Sequence, residues 1–123
     1  MAYLGDGVIE LAAREKLVRA GNIPPERLHS EALLFVTASK QSKAIENILP
    51  LLTEAETEIY KRGRNAKSRA PKSASVSEYR RATGMECLFG YLYLAGDKNR
   101  IQELFDIAFP VTVLQECRQD GGR

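Results

Sequence analysis

An all-α single domain is predicted by two features of this chain. Helix caps and stops recur along its length, and no segment sustains the alternation of apolar and polar residues that a strand requires. At 123 residues it can bury one core without disulfide or metal staples. A first helix is expected over residues 2–20, stopped by Gly21 in a left-handed C-terminal cap. Asn22, Ile23, Pro24 and Pro25 make the turn, and Pro25 suits the first turn of a second helix. There Leu28, Ala32, Phe35, Val36 and Ser39 share one face. The polar run Lys40, Gln41, Ser42 and Lys43 marks a bend before a helical piece over 44–49, which Pro50 ends. Thr53 and Glu56 have capping-box spacing and open a helix that closes at Gly63. Residues 64–73, with Pro71 and several small residues, read as a mobile loop. Ser75 and Glu78 form a second capping box, opening a helix that runs to Ala95 and stops at Gly96. Asp97 caps a last helix that ends near Phe109, before Pro110. The domain is thus read as residues 1–109, with 110–123 a frayed tail.

The second half of the 75–95 helix carries Leu88, Phe89, Tyr91, Leu92, Tyr93 and Leu94 and leaves no polar stripe. Such a helix is central or lies at a subunit interface. In so short a chain a fully surrounded helix is hard to supply from one protomer, so a homodimer is expected.

Composition narrows the function. Hydrophobic content of 44% and charged content of 28% are ordinary for a soluble globular chain, and a net charge of +2 implies no partner by itself. The distribution is more telling: six Lys or Arg and no acid fall between Lys61 and Lys72. Cys87 and Cys117 belong to no metal-spaced pair, which argues against zinc and for reduced thiols in a cytoplasmic protein. The longest apolar run, Cys87 to Ala95, is too short to span a bilayer, and no leader opens the chain, so no membrane partner is expected.

Two strongly apolar segments carry acids. One is Ala2-Tyr3-Leu4-Gly5-Asp6-Gly7-Val8-Ile9-Glu10-Leu11; the other is Ala82-Thr83-Gly84-Met85-Glu86-Cys87-Leu88-Phe89-Gly90. An unpaired carboxylate on or beside an apolar face is costly and usually has a cation. Asp6 and Glu10 are four apart and share a helix face; Glu86 meets them if the two helices pack side by side. Two or three converging carboxylates suit Mg2+ and a phosphate substrate. In the alternative, structural reading, Asp6 caps a helix starting near Gly7, and Glu10 and Glu86 pair with Arg14 or Arg80. His29, the only histidine, has no carboxylate partner by spacing and is read as structural; Cys87, Tyr91 and Tyr93 are read as packing.

Taken in order, several groups of residues make the chain resemble mini-ribonuclease III over roughly residues 2–105. They are Gly5-Asp6 with Val8, Glu10 and Leu11; Leu28-His29, Phe35-Val36 and Ser39-Lys40-Gln41; Arg62-Gly63-Arg64-Asn65-Ala66-Lys67-Ser68; Tyr79-Arg80 with Ala82-Thr83; and Glu86 with Leu88-Phe89-Gly90-Tyr91-Leu92. That group consists of ribonuclease III catalytic domains lacking the double-stranded-RNA-binding domain. The resemblance implies a homodimeric, all-helical ribonuclease III-type endonuclease domain that cleaves double-stranded RNA with Mg2+, with Mn2+ as a substitute. It further implies maturation of large-subunit ribosomal RNA precursor, with 5′-phosphate and 3′-hydroxyl products.

Residue by residue, Asp6 matches the aspartate of the ribonuclease III signature and Glu86 the glutamate of its second acidic motif. Both are expected to be catalytic metal ligands, with Glu10 a third or water-mediated ligand. Full-length ribonucleases III carry further acids where this chain has Ala2 and Thr83, and the mini group shares this chain's thinner acidic set. Relatives also carry residues ahead of the segment that Met1 here nearly abuts, which puts Asp6 near the start of its helix. Lys61, Arg62, Arg64, Asn65, Lys67, Arg69 and Lys72 are expected to grip RNA, since proteins hold duplex RNA by its phosphates and 2′ hydroxyls. The competing expectation is a non-catalytic helical RNA-binding dimer of the same fold.

Overall fold

The structure is a computed structural model that describes residues 1–66 and 75–110, less the side chain of Leu34. Every regular element among them is helical: α1 (Ala2–Ala20), α2 (Pro25–Val36), α3 (Ala38–Ile48), a 3-10 turn (Leu49–Leu51), α4 (Glu54–Asn65), α5 (Val76–Leu94) and α6 (Lys98–Ala108). Lys67, Arg69, Lys72, Cys117 and the 111–123 tail lie outside the described residues.

Local chemistry sets most of the boundaries. Gly21 and Gly96, at φ 71° and 75°, end α1 and α5 in a conformation that costs other residues a Cβ clash. Thr53 and Glu56 close a reciprocal capping box at the start of α4. Ser75 Oγ accepts from the Glu78 amide at 3.0 Å, and Asp97 Oδ1 accepts from the Arg100 amide at 3.1 Å. Two expected boundaries move. The chain breaks at Thr37, in extended conformation, rather than at 40–43. Thr37 Oγ1 accepts from the Lys40 amide and starts α3, whose Gln41 and Ser42 are buried. Gly63 does not end α4, which continues to Asn65.

α5 is the central helix. α1, α3, α4 and α6 of the same chain pack around it, burying Met85, Leu88, Phe89 and Leu92. A single protomer therefore supplies the surround that was expected to need a partner. A ring cluster fills the space beneath α2 and α6, with Phe35 and Phe109 centroids 5.2 Å apart and Phe105 and Phe109 4.9 Å apart. Tyr91 packs against the core as expected, but Tyr93 is 48% exposed and does not.

Candidate active site

α1 and α5 meet nearly backbone to backbone, and that contact creates the site. A Cβ placed on Gly5 would lie 1.6 Å from the Glu86 carbonyl oxygen, and one on Gly90 would lie 2.5 Å from the Met1 carbonyl oxygen. Only residues without side chains permit this approach. It brings the next residue along, Asp6, against Glu86. Asp6 lies in the second turn of α1, which starts at Ala2, so it is not a helix cap.

Glu86 shows what the approach costs. Burial first, then the charge of Asp6 and a hydrogen bond with its carboxyl, push the Glu86 carboxyl up to about 7. Among the described residues no ion pair joins Asp6 or Glu86 to a cation, Arg80 included. The pair thus carries an uncompensated negative charge at the point where two helix backbones touch. Two oxygen-bearing acids that repel each other fit a hard divalent cation, which would remove the repulsion and displace the shared proton.

Glu10 does not join them. It pairs with Arg14, one turn further along α1. Among the described residues no group of three His, Cys, Asp or Glu side chains converges. Glu10, expected as a third or water-mediated ligand, is thus held in a local ion pair, and the acids that the fold brings into contact are Asp6 and Glu86.

The basic segment begins on a turn of α4 that packs against the sequence neighbours of Glu86. Gly63 packs into the crossing of α4 over α5: a Cβ there would lie 2.7 Å from Cys87 Sγ and 2.9 Å from Gly84 Cα. Cys87 is the neighbour of Glu86 in sequence; it is a free, half-buried thiol pushed up by burial. Arg62 and Arg64 flank Gly63, so two guanidinium groups leave α4 from the turn that touches the Glu86 segment. Lys61 and Asn65 are exposed on the same last turns of α4. His29 is elsewhere. It lines a cavity of about 300 Å³ between α1 and α2 with Arg14, Leu17, Val18, Pro25 and Leu28.

The residues that the sequence reading missed are the small ones. Gly5, Gly63, Gly84 and Gly90 fall inside helices where glycine is disfavoured, and that misplacement is the signal.

An all-helical domain thus holds a carboxyl dyad at a glycine-mediated helix crossing, with a basic helix end packed on the same helix. The ribonuclease III domain family matches residues 1–97. The mini-ribonuclease 3 of Symbiobacterium thermophilum is 45% identical over 109 residues, 88% of this chain and 84% of that protein. That of a Thermoanaerobacter species is 42% identical, over 94% of this chain and 81% of the relative. A crystal structure of a Fusobacterium nucleatum protein shares the fold at TM-score 0.78 and 30% identity, covering 94% of this chain and 89% of the other. The chain belongs to the ribonuclease III family and, within it, to the mini-ribonuclease 3 group; it is an endoribonuclease. Among the described residues no helix is long and apolar enough to cross a membrane.

Proposed function

We propose that this enzyme hydrolyses double-stranded RNA at the Asp6–Glu86 dyad with Mg2+, that it acts as a homodimer, and that its substrate is large-subunit ribosomal RNA precursor in the cytoplasm. The observation that carries the chemistry is the uncompensated dyad at the α1–α5 crossing. Asp6 and Glu86 would hold the ion, with Mn2+ able to replace it. Mg2+ there supplies positive charge to the phosphate and lowers the pKa of water. In the hydrolysis a water oxygen bonds to phosphorus and the bond from phosphorus to the 3′ oxygen breaks, leaving a 3′ hydroxyl and a 5′ phosphate. Burial and the charge of Asp6 push the Glu86 carboxyl up to about 7, and a bound cation would favour its carboxylate form, the form in which Glu86 would act as a ligand.

Lys61, Arg62, Arg64 and Asn65, at the end of α4, would grip phosphates and 2′ hydroxyls beside the dyad, and Lys67, Arg69 and Lys72 would extend the grip. Support for the dimer comes from α1. Tyr3, Leu11 and Val18 are 94%, 67% and 67% exposed and lie within one sector of the helix. Gly7 lies in the same sector with open space where its Cβ would be, so a second helix can approach closely. A duplex has two strands, and two dyads related by a two-fold axis would cut one each.

A structured duplex from large-subunit ribosomal RNA precursor, incubated with Mg2+ and with EDTA, tests the reading. Cleavage with Mg2+ alone is expected, with dimeric sedimentation at micromolar concentration. A retarded but uncut duplex under both conditions would contradict the catalytic assignment, and a monomer would contradict the dimer.

A further inference from the structure

The two described arginines that flank the α4–α5 crossing are held differently. Arg62 reaches back to Glu58 at 3.7 Å with its side chain 75% exposed, a pair that solvent weakens. Arg64 is half-buried. Its guanidinium lies over the Tyr60 ring, 5.7 Å from the centroid, and its Nε donates to Asn65 Oδ1 at 3.2 Å.

Tyr60 is one turn earlier on α4, so its ring and the Arg64 stem share a face. That ring cannot swing away. It is 2% exposed, and a Cβ on Gly84 would lie 2.7 Å from both its Cδ1 and its Cε1. Burial also pushes the phenol up, with Arg64 and Arg81 opposing the rise, so at neutral pH the ring stays uncharged and offers a π face. Gly84 is two residues before Glu86 on α5. A continuous packed course therefore runs from the dyad's helix, through Gly84 and the Tyr60 ring, to one guanidinium.

We propose that Tyr60 is a positioning residue for RNA: its ring is a fixed platform that presets Arg64 for a phosphate of the duplex beside the Asp6–Glu86 dyad. The proposal rests on the reading of Arg64 as a phosphate contact. A guanidinium already in place loses less conformational freedom on binding, which is the advantage Arg64 has over Arg62, whose pair with Glu58 is long and exposed to solvent.

A double-mutant cycle on duplex RNA binding in EDTA and on steady-state cleavage in Mg2+ tests it, using Tyr60→Leu, Tyr60→Phe, Arg64→Ala and the Tyr60→Leu/Arg64→Ala pair. Tyr60→Leu should raise Kd and KM about two- to five-fold, the scale of a cation–π contact, with kcat nearly kept. Tyr60→Phe keeps the ring and removes only the hydroxyl, which also hydrogen-bonds Arg64, so it should lose clearly less affinity than Tyr60→Leu. With Arg64→Ala already present, Tyr60→Leu should have no further effect on Kd. An equal loss in both backgrounds would overturn the proposal, because Tyr60 would then act only by packing α4 on α5. An Arg64→Ala protein with unchanged Kd would overturn the phosphate reading itself, a separate outcome. Should Tyr60→Leu fail to fold, the Nε–H resonance of Arg64 in the parent protein decides. A ring-current shift relative to Arg62 is expected, and coincidence of the two would overturn the proposal.

Discussion

Glu56 on α4 and Glu86 on α5 are both drawn out of solvent, and the chain treats them in opposite ways. Glu56 is 5% exposed and meets Arg100 of α6, whose Nη2 and Nε donate to its two oxygens at 2.8 and 2.9 Å. The Arg100 hydrogen bond outweighs burial, and its carboxyl stands below the ordinary range. Arg100 also donates to the Leu51 carbonyl and pairs with Glu103, so the cluster ties α6 to α4 and to the turn before it. Glu86 has no such cation. Its near neighbour is another acid, and its carboxyl stands at about 7. An acid balanced from within the chain ties its elements together; one left unbalanced at a helix crossing is what the proposed metal site rests on.

Four perturbations separate the two roles. The largest effect is expected for Asp6→Asn, which keeps side-chain volume and removes half of the dyad's charge. Cleavage should fall about a thousand-fold, as several kcal/mol of metal-assisted stabilisation at the transition state are lost, while duplex binding measured by gel retardation persists.

Next is Gly5→Ala. The added carbon would lie 1.6 Å from the Glu86 carbonyl oxygen, so α1 and α5 must part. Stability should fall by at least about 3 kcal/mol in urea unfolding, and cleavage should fail with it because Asp6 and Glu86 separate. Gly7→Ala, with open space around its Cβ within the protomer, should not push α1 from α5.

Arg100→Met comes third. It strands Glu56 and should cost about 3 kcal/mol in the same unfolding measurement, yet cleavage per folded molecule should survive. Loss of activity without loss of stability would invert the assignment of the two glutamates.

The smallest effect is a pair of opposite pH slopes in metal-free unfolding. Glu86 is raised in the folded state, so its contribution to stability is full below 4.5 and is lost as pH rises toward about 7. Glu56 is lowered, so its contribution is full above 4.5 and is lost as pH falls through its folded value. Subtracting the profiles of Glu86→Gln and Glu56→Gln from the parent should give differences of opposite sign.

Much of the architecture was legible because it is written locally. The Thr53–Glu56 box, the Asp97 cap and the stops at Gly21 and Gly96 are side-chain and backbone chemistry within one turn. Thr37, amid the apolar and small residues Phe35, Val36 and Ala38, does not stand out in sequence, and the polar run after it looks like the break. Gly63 reads as a stop for a different reason: a glycine that ends a helix and a glycine that lets two helices touch are the same letter. Only Cys87 and Gly84, more than twenty residues later in the chain, tell them apart. The dyad was legible as two acids on apolar helices. That Glu10 would turn to Arg14 was visible as an alternative and could not be chosen from spacing alone, since Asp6 and Arg14 each stand four residues from it.

The most direct test is single-turnover cleavage of a duplex RNA by the parent and by Glu86→Gln across Mg2+ concentration, with unfolding free energy measured on the same samples. Glu86→Gln is expected to fold at least as stably as the parent at neutral pH, because the repulsion from Asp6 is gone, and to remain inert at every Mg2+ concentration. A folded Glu86→Gln protein that cleaves at the parent's rate would contradict the account.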